Sequence, residues 1–172
     1  MSKKIACVVT DMFEDIEYTD PEKAFKDAGY KIEVIESEKG NKITGKNNEI
    51  TLTADVGIDN VNPDDYDALF IPGGFSPDQL RADDRFVAFA KHFMDVKKPV
   101  FAICHGPQLL ITAKSLEGRK ATGFKSIHVD MEYAKANLVD EEVAVCDNQL
   151  VTSRQPDDIP AFNREALKLL EG

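Results

Sequence analysis

Hydrophobic and polar positions along the chain form two kinds of pattern, short apolar or alternating runs and longer stretches with helical periodicity. The short runs predict β-strands, since four or five successive apolar residues suit a strand buried on both faces of a parallel sheet. These strands cover residues 4–9, 30–36, 68–71, 100–103, 120–122, 143–145 and 150–152. The periodic stretches predict helices, which cover residues 20–29, 84–96, 107–113, 127–136 and 159–170.

Strands and helices alternate along the whole chain, which indicates a three-layer α/β sandwich with a mostly parallel, flavodoxin-like sheet and helices on both faces. Two hairpins interrupt this alternation. One flanks Lys46-Asn47-Asn48 between Lys42 and Val56, and the other turns at Asp147-Asn148-Gln149. A chain of 172 residues suits one domain, and we expect a single domain over residues 1–172.

Charge and cysteine usage narrow the class of protein. Thirty-one acidic against twenty-one basic residues give a net charge of −10, which argues against nucleic acid and anionic membranes as partners. The first strand begins directly after the first few residues, and its apolar run is too short for a signal peptide or a membrane span. We therefore expect a cytoplasmic protein. Three cysteines without a Cys-x-x-Cys pair favour a reducing compartment. We expect no metal and no cofactor.

The clearest indication of chemistry is the point where the strand at 100–103 ends on Cys104. Gly106 is expected to supply the conformational freedom for a tight turn, and Pro107 fits the first turn of a helix. Cys104 therefore lies on a strand-to-helix elbow, the cysteine counterpart of the Gly-x-Ser-x-Gly turn, with Ala102 at the first glycine position. The nearby N–H groups and helix start favour the thiolate. We expect Cys104 to be the nucleophile; the alternative is a small buried hydrophobic residue, the role we assign to the other two cysteines.

Three loops are predicted at the carboxyl ends of the strands, where parallel sheets bind ligands. They are residues 11–15, 72–78 and Cys104-His105. In the first loop Glu14 is the favoured carboxylate, because Phe13 before it can anchor the loop in the core. A carboxyl close to a thiolate is pushed toward its protonated form and can then donate a hydrogen bond to sulfur. We expect Asp15 and Glu17 to be solvated acids.

Backbone donors and a histidine complete the candidate site. Gly74 permits close backbone approach, and its N–H together with that of His105 is predicted to form an oxyanion hole. His105 follows Cys104 directly in the sequence. Since adjacent residues on a helix do not share a face, the direction of the His105 ring relative to the thiol stays open.

Four separated motifs, in this order, resemble the PfpI intracellular-protease-like family. This family belongs to the superfamily of the Parkinson-disease-associated stress protein and the glutamine-amidotransferase-like domains, and it includes bacterial general stress proteins. The motifs are Phe13-Glu14-Asp15-Ile16-Glu17, the stretch 67–74 ending in Pro-Gly-Gly, the stretch 102–108 around Cys104, and residues 151–154 with 156–158. The likeness spans essentially the whole chain.

By this resemblance, Cys104 is the nucleophile, Glu14 contacts its sulfur, and His105 forms a triad with an acid from a neighbouring subunit. The matching acid is Asp78, where the protease-like members carry glutamate. The cross-subunit arrangement implies a homodimer or a higher homo-oligomer. Phe124 takes a substrate-binding position at which the protease-like pattern has tyrosine, and Lys125-Ser126 replaces the usual proline-glycine pair.

The family's activities are peptide hydrolysis, removal of reactive aldehydes such as methylglyoxal, and redox sensing or chaperoning under stress. They proceed through an acyl-thioester, a hemithioacetal with proton transfer through the carboxylate, and an oxidised sulfur, respectively. We expect a stress-protective enzyme that acts on a peptide or a small aldehyde, either a peptidase-like hydrolase or a glyoxalase-type enzyme. The alternative is a non-enzymatic redox sensor or chaperone in which Glu14 holds the Cys104 sulfinate.

Overall fold

Residues 3–172, the part of the chain that the computed structural model describes, form a central sheet with helices packed on both faces. The strands, in chain order, are β1 (Lys4–Val8), β2 (Lys31–Glu36), β3 (Lys42–Thr44), β4 (Thr51–Thr53), β5 (Val56–Gly57), β6 (Ala68–Ile71), β7 (Val100–Ile103), β8 (Lys120–Ala121), β9 (Asn137–Leu138), β10 (Ala144–Cys146) and β11 (Leu150–Ser153). The α-helices are α1 (Asp15–Asp27), α2 (Ser76–Leu80), α3 (Asp84–Asp95), α4 (Pro107–Thr112), α5 (His128–Tyr133) and α6 (Ile159–Glu171). The three-layer α/β architecture is confirmed.

The central sheet is mostly parallel, as the sequence predicts. Its strand order is β10-β11-β7-β6-β1-β2-β5, and every neighbouring pair is parallel except β10 with β11. Strands β3 and β4 form the predicted hairpin apart from this sheet, and β8 pairs with β9 in another small sheet. Because β1, β6 and β7 lie side by side and run in the same direction, the loops that follow them meet at one edge.

Alternate residues of the central strands point to opposite faces and form two cores. On one face, Leu69 and its neighbours pack against the phenylalanines of α3. On the other face, Phe70 packs with α1 and α6, and its ring contacts Phe25 and Phe162. Strands β6 and β7 are buried along their whole length. The two loops that follow these strands are therefore built on a rigid platform.

Helix α1 begins at Asp15, ahead of the Asp20-Pro21 cap that the sequence predicts. The Asp15 side chain is buried and accepts three backbone N–H groups from the tip of the β3–β4 hairpin, those of Asn47 (2.9 Å), Glu49 (3.1 Å) and Ile50 (3.1 Å). The expectation that Asp15 is a solvated acid is therefore wrong. Pro21 lies inside the helix and is buried, since tertiary packing outweighs the one backbone hydrogen bond that proline removes.

The remaining differences concern short elements. The helix predicted over 127–136 is a 3₁₀ turn at Lys125–Ile127 followed by α5, and the strand predicted at 120–122 is β8, outside the central sheet. Helix α2 begins inside the predicted loop 72–78, and strand β5 pairs with β2 instead of belonging to the predicted hairpin. Strand β9 has no counterpart among the predicted elements. Elements of this length carry too few residues for a periodicity to separate them from loops.

None of the helices within residues 3–172 is long and apolar enough to cross a membrane. Cys7, Cys104 and Cys146 are free thiols. Cys7 is fully buried in β1, and Cys146 is buried in β10. Both therefore have the core positions that the sequence predicts for them.

Asp15→Ala should destabilise the protein by about 3 kcal/mol, because three backbone donors would lose their acceptor. Burial alone would raise the pKa of Asp15, but the three N–H groups hold it below its ordinary value. The stabilisation of the fold by Asp15 is therefore present above the pKa of an unfolded aspartate and is lost as the pH falls through the pKa of Asp15 in the folded protein. Urea unfolding at pH 7 measures the effect, with Asp20→Ala on the exposed side of α1 as the control. Equal stability of the two variants would contradict the anchoring role.

Candidate active site

The elbow after β7 holds Cys104 in a left-handed backbone conformation, with a φ of 62°. This conformation costs a non-glycine residue about 1–2 kcal/mol, so its surroundings must hold it. The Cys104 N–H donates to the carbonyl of Ser153 (2.9 Å), and its carbonyl accepts from the N–H of Phe124 (2.8 Å). The elbow is thus fixed by β11 on one side and by the segment before α5 on the other.

Gly106 is required for space rather than for conformational freedom. Its backbone is helical, with a φ of −49°, so the expectation that it relaxes the turn is wrong, and Cys104 itself takes the left-handed position. A Cβ at Gly106 would lie 2.6 Å from the carbonyl oxygen of Ile71. Pro107 starts α4, as predicted. The absence of a side chain at Gly106 lets α4 begin directly against β6.

The predicted backbone donors converge on the Cys104 sulfur. The N–H groups of Gly74 and His105 hydrogen-bond to it and lower the pKa of the thiol. Burial is the larger influence, and together with the charge of Glu17 it raises the pKa of Cys104 well above that of a free cysteine. Cys104 is only 7% exposed. The resting side chain is therefore a thiol, whereas the elbow considered by itself favours a thiolate.

The carboxyl that interacts with the Cys104 thiol belongs to Glu17. Glu17 is fully buried, and its Oε1 accepts the N–H of Gly73 at 3.1 Å. Its Oε2 has no hydrogen-bond partner within residues 3–172, and the interaction of the carboxyl with the Cys104 thiol lowers the pKa of Glu17. Burial, and after it the charge of Glu14, raises the pKa of Glu17 to about 8. Glu17 is thus mostly protonated at neutral pH, and the expectation that it is a solvated acid is wrong.

Glu14 lies at the same site, but the tip of the β3–β4 hairpin engages its carboxylate. Lys46 Nζ is 2.6 Å from Oε2, and Asn47 Nδ2 donates to Oε1 at 2.8 Å. Phe13 is fully buried and anchors the loop as predicted. The thiol contact that the resemblance assigns to Glu14 is made by Glu17 instead. Glu14 acts on Glu17 through its charge, and it raises the pKa of Lys46.

The position of Glu17 follows from the early start of α1. A helix that starts at Asp20 leaves Glu17 in a loop, whereas the observed helix has Glu14 at its N-cap and Glu17 in its first turn. The overlooked signal is the pair of acidic residues, Asp15 and Glu17, which suit the first turn because of the helix dipole.

The His105 ring points toward Cys104 and is held on three sides. Its Nδ1 is 3.3 Å from the Cys104 sulfur, and its Nε2 is 3.2 Å from Ser126 Oγ. The ring stacks on Phe124 with centroids 5.0 Å apart and an interplanar angle of 28°. The sequence left this orientation open and did not single out Ser126 as a partner of the ring.

Charges near His105 have opposing effects. Burial, and then the positive charge of Lys46, lowers the pKa of His105, while Asp78 of the same chain raises it. Asp78 is exposed in α2. Its action across a subunit boundary stays a prediction, and so do the catalytic roles of the residues gathered here.

A cavity of about 110 Å³ lies above the sulfur. It is lined by Glu14, Glu17, Lys46, Gly74, Phe75, Cys104, His105, Phe124 and Pro156. Phe124 therefore forms part of the wall, next to His105. Within residues 3–172, no group of three or more histidine, cysteine, aspartate or glutamate side chains is arranged to hold a metal ion.

A sequence profile of the DJ-1/PfpI family matches residues 3–169. General stress protein 18 of Bacillus subtilis is 68% identical over 171 residues and 99% of each chain. Protein/nucleic acid deglycase 2 of Escherichia coli is 55% identical over 170 residues, also 99% of each chain. A second Bacillus subtilis relative, named "Putative cysteine protease YraA", is 57% identical over 171 residues, which are 99% of this chain and 100% of the relative.

Solved structures share the fold over nearly the whole chain. The ThiJ/PfpI domain protein of Brachyspira murdochii aligns with a TM-score of 0.92 at 29% identity, over 99% of this chain and 97% of that one. A two-domain protein of Anabaena variabilis, with DJ-1/ThiJ/PfpI-like and ferritin-like domains, gives a TM-score of 0.96 at 37% identity. That alignment covers 99% of this chain and 48% of the two-domain protein, so this chain spans about half of its length.

Glu17→Gln should gain stability relative to the wild type as the pH rises from about 4.5 to about 8. The pKa of Glu17 is higher in the folded than in the unfolded protein. The stabilisation of the fold by the protonated carboxyl is therefore complete below pH 4.5 and is lost as the pH rises through 8. Glutamine does not ionise, and the difference should reach up to about 5 kcal/mol at 1.36 kcal/mol per pKa unit.

Urea unfolding at pH 5, 6, 7 and 8 measures this difference. Glu141→Gln, at an exposed position, is the control and should track the wild type throughout. A stability difference for Glu17→Gln that does not change with pH would mean that Glu17 is ionised in the folded protein over the whole range.

Proposed function

The chain belongs to the DJ-1/PfpI family, and on that premise we propose that it is a stress-protective enzyme that removes small reactive aldehydes such as methylglyoxal. The observation that carries this proposal is a thiol and a protonatable carboxyl, Cys104 and Glu17, together at the base of a small cavity. Two names among the relatives support the same chemistry and setting, a protein/nucleic acid deglycase and a general stress protein.

The first step is addition of the Cys104 sulfur to the aldehyde carbon of the substrate. The S–C bond forms, the carbonyl π bond breaks, and the thiol proton ends on the new hydroxyl oxygen of the hemithioacetal. His105 Nδ1, 3.3 Å from the sulfur, is the nearby base that takes this proton. The N–H groups of Gly74 and His105 already point at the sulfur and are suited to stabilise the developing oxyanion beside it.

The second step moves a proton between adjacent carbons. Glu17, in its ionised form, takes the proton from the former aldehyde carbon and returns it to the neighbouring ketone carbon. The hydroxyl proton of the hemithioacetal passes to the ketone oxygen, and a 2-hydroxyacyl thioester is left on Cys104. A pKa of about 8 suits this exchange, because the carboxyl both accepts and releases a proton near neutral pH. Water then hydrolyses the thioester to lactate and restores the thiol. The sum is methylglyoxal plus water giving lactate and a proton, with no external oxidant or reductant.

The size of the cavity favours an aldehyde over a peptide. A volume of about 110 Å³ suits a molecule of a few heavy atoms. A cysteine peptidase also needs an imidazole that stays charged beside a thiolate. Here burial and Lys46 lower the pKa of His105, and a neutral hydroxyl occupies its far nitrogen.

A second candidate is a redox sensor that works through the same sulfur. Three hydrogen-bond donors surround Cys104. They are the N–H groups of Gly74 and His105 and the protonated carboxyl of Glu17. Donors in this arrangement would also hold the oxygens of a sulfinate. In that case Glu17, rather than Glu14, would be the carboxyl that holds the oxidised sulfur.

Lactate formation from methylglyoxal tests the proposal. Cys104→Ser and Glu17→Gln should each lower kcat by about 10²–10⁴, the usual contribution of a nucleophile or a positioned acid–base group. Cys146→Ala, at a buried cysteine far along the chain in β10, is the matched control and should retain wild-type turnover.

Two parallel assays separate the alternatives. Release of labelled peptides from casein by the wild type, lost in Cys104→Ser, would favour a peptidase. A gain of two oxygens on Cys104 under peroxide, together with lactate formation no higher than in Cys104→Ser, would overturn the aldehyde proposal in favour of a redox sensor.

A further inference from the structure

We infer that Ser126 is a positioning residue that aims the His105 imidazole at Cys104, in place of a carboxylate. The Ser126 hydroxyl lies 3.2 Å from Nε2, and the opposite nitrogen, Nδ1, lies 3.3 Å from the Cys104 sulfur. Phe124 covers one face of the ring. Sulfur, imidazole and hydroxyl thus form one continuous chain of polar contacts within a single subunit.

The segment that carries Ser126 is fastened to the nucleophile elbow itself. Phe124 donates its N–H to the carbonyl of Cys104 (2.8 Å), and Ile127 donates to the carbonyl of Phe124 (2.9 Å). His128 Nε2 lies 2.8 Å from the carbonyl oxygen of Gly123, which closes the segment from its other end. The 3₁₀ turn over Lys125–Ile127 therefore holds Ser126 at a fixed distance from the sulfur.

This contact supports one tautomer of His105. When the Cys104 thiol donates to Nδ1, the ring carries its proton on Nε2, and the Ser126 hydroxyl, which can donate or accept, accepts a hydrogen bond from it. The lone pair of Nδ1 then points at the thiol. Ser126 thus prepares His105 to accept the Cys104 proton, which is the first proton movement in the proposed reaction.

A neutral partner also determines the charge of the ring. A carboxylate at Nε2 would favour the imidazolium, whereas a hydroxyl does not. The titratable groups around the ring are Lys46 on the β3–β4 hairpin, Glu14 and Glu17 at the start of α1, and Asp78 on α2. Burial and Lys46 outweigh Asp78, so the pKa of His105 falls below its ordinary value. The ring therefore serves as a neutral base at pH 7.

The tautomer and the orientation are measurable without any turnover, and the inference rests on the proposed function only for its effect on kcat. Nitrogen-15 NMR of the histidine side chains reports the tautomer and the pKa of His105. Iodoacetamide alkylation of Cys104 as a function of pH reports the state of the thiol. Both use the full chain.

In the wild type, His105 should carry its proton on Nε2 and stay neutral at pH 7. Ser126→Ala should give mixed tautomers and slow alkylation roughly five- to tenfold, the effect of losing one net hydrogen bond, and kcat should fall with KM unchanged. Ser126→Thr keeps the hydroxyl and should restore wild-type behaviour. Ser126→Asp should raise the pKa of His105 and move the onset of alkylation to lower pH.

Ser115→Ala is the matched control, since the Ser115 hydroxyl donates to the carbonyl of Ala113 beyond α4, away from the cavity lining. Wild-type tautomer, pKa and alkylation in Ser126→Ala would overturn the inference, and so would a tautomer change in Asp78→Asn alone. If the NMR result appears while methylglyoxal is not consumed, the proposed function fails and the positioning role stands.

Discussion

A buried carboxyl and a buried thiol side by side can hold only one negative charge between them at moderate cost. This constraint governs the arrangement around Glu17 and Cys104. Burial raises the pKa of both groups, and the charge of Glu17 raises that of Cys104 further, whereas the hydrogen bond with the thiol lowers the pKa of Glu17. Gly73 is part of the same constraint, because a Cβ there would lie 2.4 Å from Glu17 Oε1 and 2.7 Å from the Cys104 Cβ. Only a glycine allows the two side chains to meet across the end of β6.

A positive charge lies close to Glu17 and Cys104 but is bound to a different carboxylate. The charge of Lys46 acts on both Glu17 and Cys104, and its 2.6 Å contact with Glu14 holds it in the cavity lining. The hairpin that carries Lys46 is itself fixed by Asp15 through three backbone hydrogen bonds. Three acidic residues at the start of α1 thus have separate tasks: Asp15 holds the hairpin, Glu14 holds its lysine, and Glu17 reaches the thiol.

Patterns that depend on neighbours in the sequence were predictable, and those that depend on distant backbone were not. The burial of β6 and β7, the elbow at Cys104 and both hairpins follow from local periodicity and turn residues. The start of α1 does not, because proline prefers the first turn of a helix while hydrogen bonds from residues 47–50 hold the real start at Asp15. The error on Glu17 is a direct result, since its side chain enters the site only from the first helical turn. Ser126 was noted only as a departure from the family pattern, because its partner, His105, lies 3.2 Å away in space but on a different element.

The side chains of the site are mostly uncharged at rest, and this limits the reactions that they can catalyse. Acyl transfer from a peptide calls for a preformed thiolate and a charged imidazole, which must be stabilised in the resting enzyme. Here the resting groups favour a thiol, a neutral imidazole and a protonated carboxyl, since burial acts against ionisation at Cys104, His105 and Glu17 alike. Carbonyl addition suits such a site, because a neutral thiol and a neutral aldehyde give a neutral hemithioacetal, and charge appears only while a proton moves between adjacent groups. The backbone donors of Gly74 and His105 are fixed before the substrate arrives, so this transient charge is stabilised without rearrangement of the protein.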